Sequence, residues 1–357
     1  MGDICIIGAG VVGCAIAREL ARHGFSVTVI ETHDAAGKET SALNSRVIHS
    51  GFHEQPETLK STLALEGSRR IIQYAENRGI ALSRTGMLIA VPHGGIREGL
   101  WREAGALWNL WRNGKRQNIP FRFIPNPSGV RQIAPIHALA GIFIPSVCVI
   151  CVEDFVAALI EDAKAAGAEF IFESPVVSIS SEKTHYVIQT PQGRIKAEIL
   201  VNSAGLHAHE ISVMASGPEY EVEFIRGDYY EVLGGIARWG IRTLVYPAMP
   251  SRSLSKGIHF GPRTDGRLFI GPSATPTPQE APKELFLQAA RRFLPDIEEQ
   301  DLKWAYAGVR PKLPTKDFII RLDRTGPPFI NLIGIDSPGL SASMGIARHV
   351  LEMIQKL

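Results

Sequence analysis

The sequence predicts an α/β protein built on two different kinds of sheet, and three observations carry that prediction. Residues 4 to 31 read as strand, glycine turn, helix, strand and acid; short strands with turn signals crowd the stretch from 221 to 271; and the chain closes as strand and helix from Ile330 onward. Alternating strand and helix calls for a parallel, doubly covered sheet, whereas consecutive short strands call for an antiparallel one.

The N-terminal unit is the most specific part. Ile4 to Ile7 is an apolar run, Gly8-Ala9-Gly10-Val11-Val12-Gly13 follows, an amphipathic stretch reaches His23, and Val27 to Ile30 ends at Glu31. Gly8 permits a tight turn, Gly10 lets backbone approach a pyrophosphate, and Gly13 lets the helix lie close on the strand. The amides that open the helix, at Val11 and Val12, face the phosphates. Glu31 is placed to accept hydrogen bonds from ribose hydroxyls, and its charge disfavours a 2′-phosphate. This Rossmann-like unit predicts a dinucleotide of the NAD or FAD type and does not choose between them.

A polar loop (His33 to Asn44) leads to Arg46-Val47-Ile48-His49-Ser50-Gly51. Pro56 to Glu76 has a helical apolar stripe (Leu59, Leu63, Ile71, Ile72, Tyr74), and Arg84 to Val91 reads as a strand. Gly95 to Asn118 is helical, with Trp101, Trp108 and Trp111 near helical spacing, a cluster better suited to packing than to ligand stacking. Gly141 to Pro145 is a strand, and Val152 to Ala166 is a helix opened by Glu153 and Asp154, acids that suit a helix N-terminus. Strand candidates follow at Glu169 to Glu173, Val176 to Ser180, His185 to Thr190 and Ile199 to Asn202, with a tight turn at Gln192-Gly193. Asn202-Ser203-Ala204-Gly205 then ends a strand with small residues, where backbone can approach a cofactor. Glu221 to Val232, Gly257 to Phe260 and Arg267 to Gly271 make up the antiparallel stretch. Pro282 to Phe293 is a helix, Trp304 to Arg310 and Ile330 to Ile335 are strands, and Gly339 to Leu357 is a closing helix introduced by Ser337-Pro338.

Composition narrows the function classes. With 357 residues, 45% hydrophobic and 21% charged content, the chain can bury a large core in two or three domain-sized units. A net charge of +2, without a long basic run interleaved with aromatics, argues against nucleic acid as a partner. The apolar N-terminus lacks the basic flank of a signal peptide, Ile6 stands where a myristoylation site needs Ser or Thr, and no apolar stretch reaches the roughly 18–20 residues of a membrane span. The expectation is a cytoplasmic protein, with peripheral membrane contact left open. Cys148 and Cys151 form a CxxC, but no further His or Cys stands close enough to complete a metal site, so no metal is expected. The choice there lies between a redox pair and two thiols in an apolar strand-like segment, the latter preferred.

Several segments go beyond a generic dinucleotide unit. Thr40-Ser41-Ala42-Leu43-Asn44-Ser45-Arg46-Val47-Ile48-His49-Ser50-Gly51 with Pro56-Glu57-Thr58-Leu59-Lys60, then Arg226-Gly227-Asp228-Tyr229-Tyr230, Gly257-Ile258-His259-Phe260, Gly308-Val309-Arg310-Pro311-Lys312 and Ile333 to Leu340 resemble, in the same order, the FAD-dependent L-2-hydroxyglutarate dehydrogenases of the D-amino-acid-oxidase-like (DAO) flavoprotein superfamily. The resemblance covers nearly the whole chain. It implies a discontinuous FAD-binding domain (residues 1–83, 140–215 and 305–357) and an α+β substrate domain on a mainly antiparallel sheet (84–139 and 216–304). It also implies that a small anionic 2-hydroxy acid gives up hydride to FAD, with a quinone, another carrier or oxygen as the electron acceptor.

Site roles follow from that resemblance and from chemistry. Arg310, after Gly308, suits a carboxylate anchor because guanidinium stays charged and binds in a fixed plane. Lys312 and Arg263 are candidates for a second carboxylate, with solvated surface charge the alternative for Lys312; Tyr229 is a further substrate-side candidate. Removing a hydroxyl proton suits a neutral imidazole. His259 is the first candidate base; His49 is the second, standing near the position that carries a covalent flavin link in dimethylglycine-dehydrogenase-like relatives. Thr40, Ser41, Asn44 and Ser45 offer polar groups to the pyrophosphate or flavin, and Val177, Ala204, Gly205 and Gly308 offer backbone. Pro338, Gly339 and Leu340 should present a helix N-terminus to the flavin edge where negative charge develops on reduction. The departures, Phe52-His53-Glu54-Gln55 in place of a tyrosine pair, Ile150 and Glu153, bear on substrate identity more than on fold. Two other readings stand beside the first: an amine or amino-acid oxidase of the glycine-oxidase type, and a flavin-binding protein without turnover.

Overall fold

The computed structural model describes residues 3–92, 97–249 and 256–357. Its first sheet has six strands, in the order Ile319–Thr325, Pro328–Ile333, Ile199–Asn202, Asp3–Ile7, Ser26–Ile30 and Glu169–Ile171. All neighbours run parallel except the first two, which form a hairpin. Both faces are covered, which is why the central strands are unbroken apolar runs. Helices Val11–Arg22, Leu59–Arg78, Val152–Ala165 and Gly339–Ile354 supply one core around Ile4, Ile6, Val29 and Val201. A three-stranded antiparallel sheet, Ser178–Ser181, Tyr186–Thr190 and Gly193–Ala197, packs Tyr186 and Ile188 with Cys5, Ile7 and Leu200.

The second sheet has nine strands and is antiparallel apart from one parallel pairing, Leu244–Pro247 with Met87–Pro92. Helix Arg97–Arg116 covers one face and helices Pro127–Ile133 and Lys283–Arg291 the other. The predicted architecture, α/β with a second antiparallel sheet, is therefore the observed one.

Individual elements differ in instructive ways. The Pro56 to Glu76 helix starts at Leu59, because Thr58 is its cap and its hydroxyl accepts from Ser61 N at 3.1 Å. Of the four strands expected between 169 and 202, the outer two join the parallel sheet, and the third strand of the small sheet is Gly193–Ala197, whose Arg194 and Lys196 hide its alternation. Helix 95–118 is observed as Arg97–Arg116, and residues 95 and 96 lie outside those described. By pairing, Ala138–Ile144 and Leu302–Lys312 belong to the second sheet, whereas the expected boundaries give it residues only to 139 and to 304. Of the tryptophan cluster, Trp111 packs under the helix but Trp108 is 59% exposed, and the Trp101 side chain lies outside what is described. All four cysteines are free thiols; Cys148 is buried in a strand and Cys151 precedes a helix, with burial raising both.

One helix crossing fixes the site's floor. A Cβ on Gly67 would lie 2.3 Å from the Ser341 carbonyl oxygen, and one on Gly345 would lie 2.5 Å from that of Leu63. Helices Leu59–Arg78 and Gly339–Ile354 thus touch backbone to backbone, as only glycine allows.

Candidate active site

A cavity of about 630 Å³ runs between the two sheets, from the glycine turn to the second sheet's inner face. At one end, Gly8 holds a φ of +99° and a Cβ there would lie 2.7 Å from the Ser203 carbonyl oxygen; a Cβ on Gly13 would fall 2.0 Å from that of Gly8. Strand, turn and helix are pressed together as the fingerprint requires. Glu31 is buried, and its carboxylate accepts from the amides of Ala9 at 2.7 Å and His33 at 3.0 Å. It braces the turn from beneath.

The loop from 40 to 46 ties the two sheets. Val11 N–H donates to Ser41 Oγ at 3.0 Å, while Thr40 Oγ1 donates to the Val309 carbonyl at 3.1 Å. The Asn44 amide is spent inside the loop, on the Ser41 carbonyl at 2.6 Å, and its carbonyl takes the Arg46 amide at 2.7 Å. Arg263 is the outer clamp: buried, it donates to the Ser45 carbonyl at 2.6 Å and to the Tyr306 hydroxyl, with its guanidinium 4.7 Å over the Phe269 ring. Gly308 lets the strand pass under this loop, since a Cβ there would lie 2.0 Å from the Leu43 carbonyl oxygen. Glu153, one of the departures, holds Arg46.

Side chains with chemistry gather at the other end. His259 is buried and stacks on Tyr246, centroids 3.8 Å apart and planes at 14°. Its Nδ1 faces the Gly257 carbonyl at 3.1 Å. A carbonyl only accepts, so Nδ1 carries the proton and Nε2 is the bare nitrogen. Burial, together with the charges of Arg263, Lys256 and Arg310, pushes the imidazole down to about 3, against a smaller upward pull from the Gly257 carbonyl. It is therefore neutral at pH 7. His49 is buried as well; its amide donates to Ser341 Oγ at 2.8 Å and its Nδ1 has no hydrogen-bond partner among the described residues. Burial and the nearby Lys256, His53 and His259 hold it well below the usual histidine range.

Arg310 is half-buried on the facing strand. Its Nη2 donates to the Ser273 carbonyl at 3.1 Å, and its Nε is buried with no partner among the described residues. Among the described residues it makes no ion pair. Lys312 is half-buried two residues on, its ammonium held below the usual lysine range by burial, and Tyr229, buried, stacks on Tyr306 at 4.6 Å.

The wall brings together Gly10, Val11, Val12, Thr40, Ser41, Asn44, Ser45, Gly205, Gly308, Pro338, Gly339 and Leu340 with His49, Tyr229, His259, Arg310 and Lys312. Gly8, Gly13, Glu31 and Ala204 stand behind or beside it, and Val177 is 60% exposed with its amide paired to the Gln189 carbonyl. Residues 3–353 match the family described as "DAO: FAD dependent oxidoreductase".

The chain belongs to the DAO family.

It is 29% identical over 370 residues to the glycerol 3-phosphate dehydrogenase of Caloramator mitchellensis, covering 100% of this chain and 74% of that protein. It is 27% identical over 409 residues to the mitochondrial L-2-hydroxyglutarate dehydrogenase of Arabidopsis thaliana, covering 98% and 82%. Among solved structures, the L-alpha-glycerophosphate oxidase of Mycoplasma pneumoniae with FAD bound superposes with a TM-score of 0.89 at 23% identity, covering 99% of this chain and 94% of that one. Glycine oxidase of Geobacillus kaustophilus gives 0.83 at 20% identity, covering 99% and 95%. These likenesses fix the fold of a DAO flavoprotein. The chain's own residues fit FAD: Gly8 and Gly13 pack strand, turn and helix too tightly for a Cβ, Gly10 and the helix-opening Val11 and Val12 face the cavity, and the wall continues to the helix N-terminus at Gly339.

Sequence reasoning missed part of this DAO site. Tyr246, His53, Lys60 and Lys256 all line the cavity. The His53 ring lies 5.7 Å from Tyr246, and burial with Lys256 and His259 holds it well below the usual range. Lys256 pairs with Glu54 at 2.7 Å, and Lys60 with Asp336 at 2.5 Å in a buried pair. The signal for His53 and Glu54 was present: both sit in the segment that departs from the family pattern.

Proposed function

We propose that this protein oxidises a small anionic 2-hydroxy acid, of the L-2-hydroxyglutarate kind, with FAD. The observation that carries the reading is the pairing of a fixed guanidinium bearing an unused buried donor, Arg310 Nε, with a neutral imidazole whose free nitrogen is Nε2 of His259. Arg310 holds the carboxylate, in a plane set by its bond to Ser273. His259 accepts the hydroxyl proton at Nε2 as the α-carbon is oxidised to a ketone. FAD, when bound, supplies the two-electron acceptor for the hydride leaving that carbon, and a quinone, another carrier or oxygen takes the electrons onward. Tyr246 holds the His259 ring by stacking, and the loop from 40 to 46 keeps the two ends of the site in register.

A second substrate, glycerol 3-phosphate, is supported by the relatives that carry that name and by the surplus of cations on the wall, where Lys60, Lys256, Arg310, Lys312 and Lys316 stand against Glu54 and Asp336. The amine-oxidase alternative has less support, because a neutral amine needs no positioned base. Anaerobic mixing of the yellow holoenzyme with L-2-hydroxyglutarate, glycerol 3-phosphate, glycine and sarcosine tests all three. Flavin bleaching by the hydroxy acid is expected; bleaching by glycine or sarcosine alone sinks the reading.

A further inference from the structure

We infer that the face carrying helix Arg97–Arg116 and strand Arg122–Ile124 docks on an anionic lipid bilayer. The first observation is an aromatic surface that the described residues leave uncovered. Trp108 is 59% exposed and lies flat on Trp111, centroids 4.9 Å apart and planes at 10°. Phe123 is 55% exposed and pairs with Ile142, a residue of the core under helix Arg97–Arg116, hence it stands on the helix's side of the sheet. Lys115 joins them, its ammonium 5.9 Å over Trp111 and 5.8 Å over Phe121. Exposed tryptophan beside lysine is the composition that suits the boundary between headgroups and acyl chains, where the indole body is apolar and its N–H stays wet.

The second observation is charge. No Asp or Glu stands between Glu103 and Glu153, while Arg112, Lys115 and Arg116 do, all three on this helix and exposed. A basic rim round an aromatic pair complements an anionic surface. It does not complement a second copy of this chain: a twofold contact would set the same cations against themselves.

The geometry gives this docking a purpose. The helix's other side, through Asn109, Leu110 and Asn113, lines the active-site cavity, so a bilayer under Trp108 lies beside the cavity's wall. That is where a lipid-soluble electron acceptor resides. The docking itself does not rest on the substrate reading, since it is measured without turnover.

Full-length holoenzyme is to be floated with phosphatidylcholine vesicles with and without phosphatidylglycerol. Retention is expected on the anionic vesicles, weakening as salt shortens the reach of the charges. Lys115→Glu should weaken it roughly fivefold or more, and Trp108→Gln and Phe123→Gln each about tenfold. None of these residues lines the cavity, so flavin content and turnover with a soluble acceptor dye should hold. Equal retention on both vesicle types, or wild-type retention by all three variants, overturns the inference. So does binding to heparin with none to vesicles, which would point to a polyanion instead.

Discussion

The two ends of the cavity are built on opposite plans. The cofactor end is backbone: Gly8, Gly10, Gly13 and Gly308 work by having no side chain, so that distant backbone, at Ser203 behind Gly8 and at Leu43 over Gly308, can close on them. The substrate end is side chains: His49 and His53 come from a loop, Tyr229, Tyr246, His259 and Arg310 from four strands of the second sheet, and no two of these six lie within three residues of each other. A shared dinucleotide needs a fixed cradle, whereas a substrate needs an arrangement that differs between family members. The first is written in a few adjacent letters and the second is not.

Breaking the substrate end should cost the most in rate and the least in cofactor. His259→Asn is expected to lower kcat by about 10²–10⁴ with FAD retained, measured by stopped-flow flavin reduction; near-normal turnover would remove this histidine from the chemistry. Arg310→Met should cut kcat/KM about 10²-fold, and Arg310→Lys should recover little, because a point charge lacks the planar fork. The cofactor end should answer the other way round. Gly13→Ala puts a methyl 2.0 Å from the Gly8 carbonyl oxygen, so FAD occupancy and thermal stability should fall together, by about 2–4 kcal/mol in the latter. A Gly13→Ala protein that kept full FAD would erase the contrast.

A milder difference should appear with pH. The buried His49 and His259 and the half-buried His53 bind protons more weakly folded than unfolded. The unfolded chain therefore takes up more protons below the ordinary histidine pKa of about 6.5, and stability should decline as pH falls from there toward about 3, where His259 titrates folded. A urea midpoint that falls between pH 7 and 5, less steeply in His259→Asn, checks this. Over the same window kcat/KM should show no loss from protonation of the free base. The smallest effect is expected at Lys312, where Met should raise KM about threefold and leave kcat alone.

How much was legible follows from the same contrast. Strands that alternate or run apolar were placed well, as at Ile199–Asn202, whereas Gly193–Ala197 was hidden by its exposed charges. Arg310 and His259 were found because each sits in a segment with a family pattern. Tyr246 was not, since a tyrosine in Leu244–Pro247 reads as ordinary strand until its ring is seen under His259. Arg263 stood out as a possible anchor from its charge alone; its burial against Ser45, Tyr306 and Phe269 makes it a clamp. Trp108 was expected inside because tryptophan at helical spacing usually packs, and nothing in the spacing distinguishes a stripe that faces a sheet from one that faces outward.

The contact of Gly67 with Ser341, and of Gly345 with Leu63, has a mechanical meaning. Helices separated by side chains can slide by repacking them, but two backbones in contact form a joint with no travel. Ser341, whose hydroxyl accepts the His49 amide and donates to the Val47 carbonyl, is set on that joint. The floor of the cavity is thus a fixed reference surface, and whatever opens to admit substrate must belong to the opposite wall.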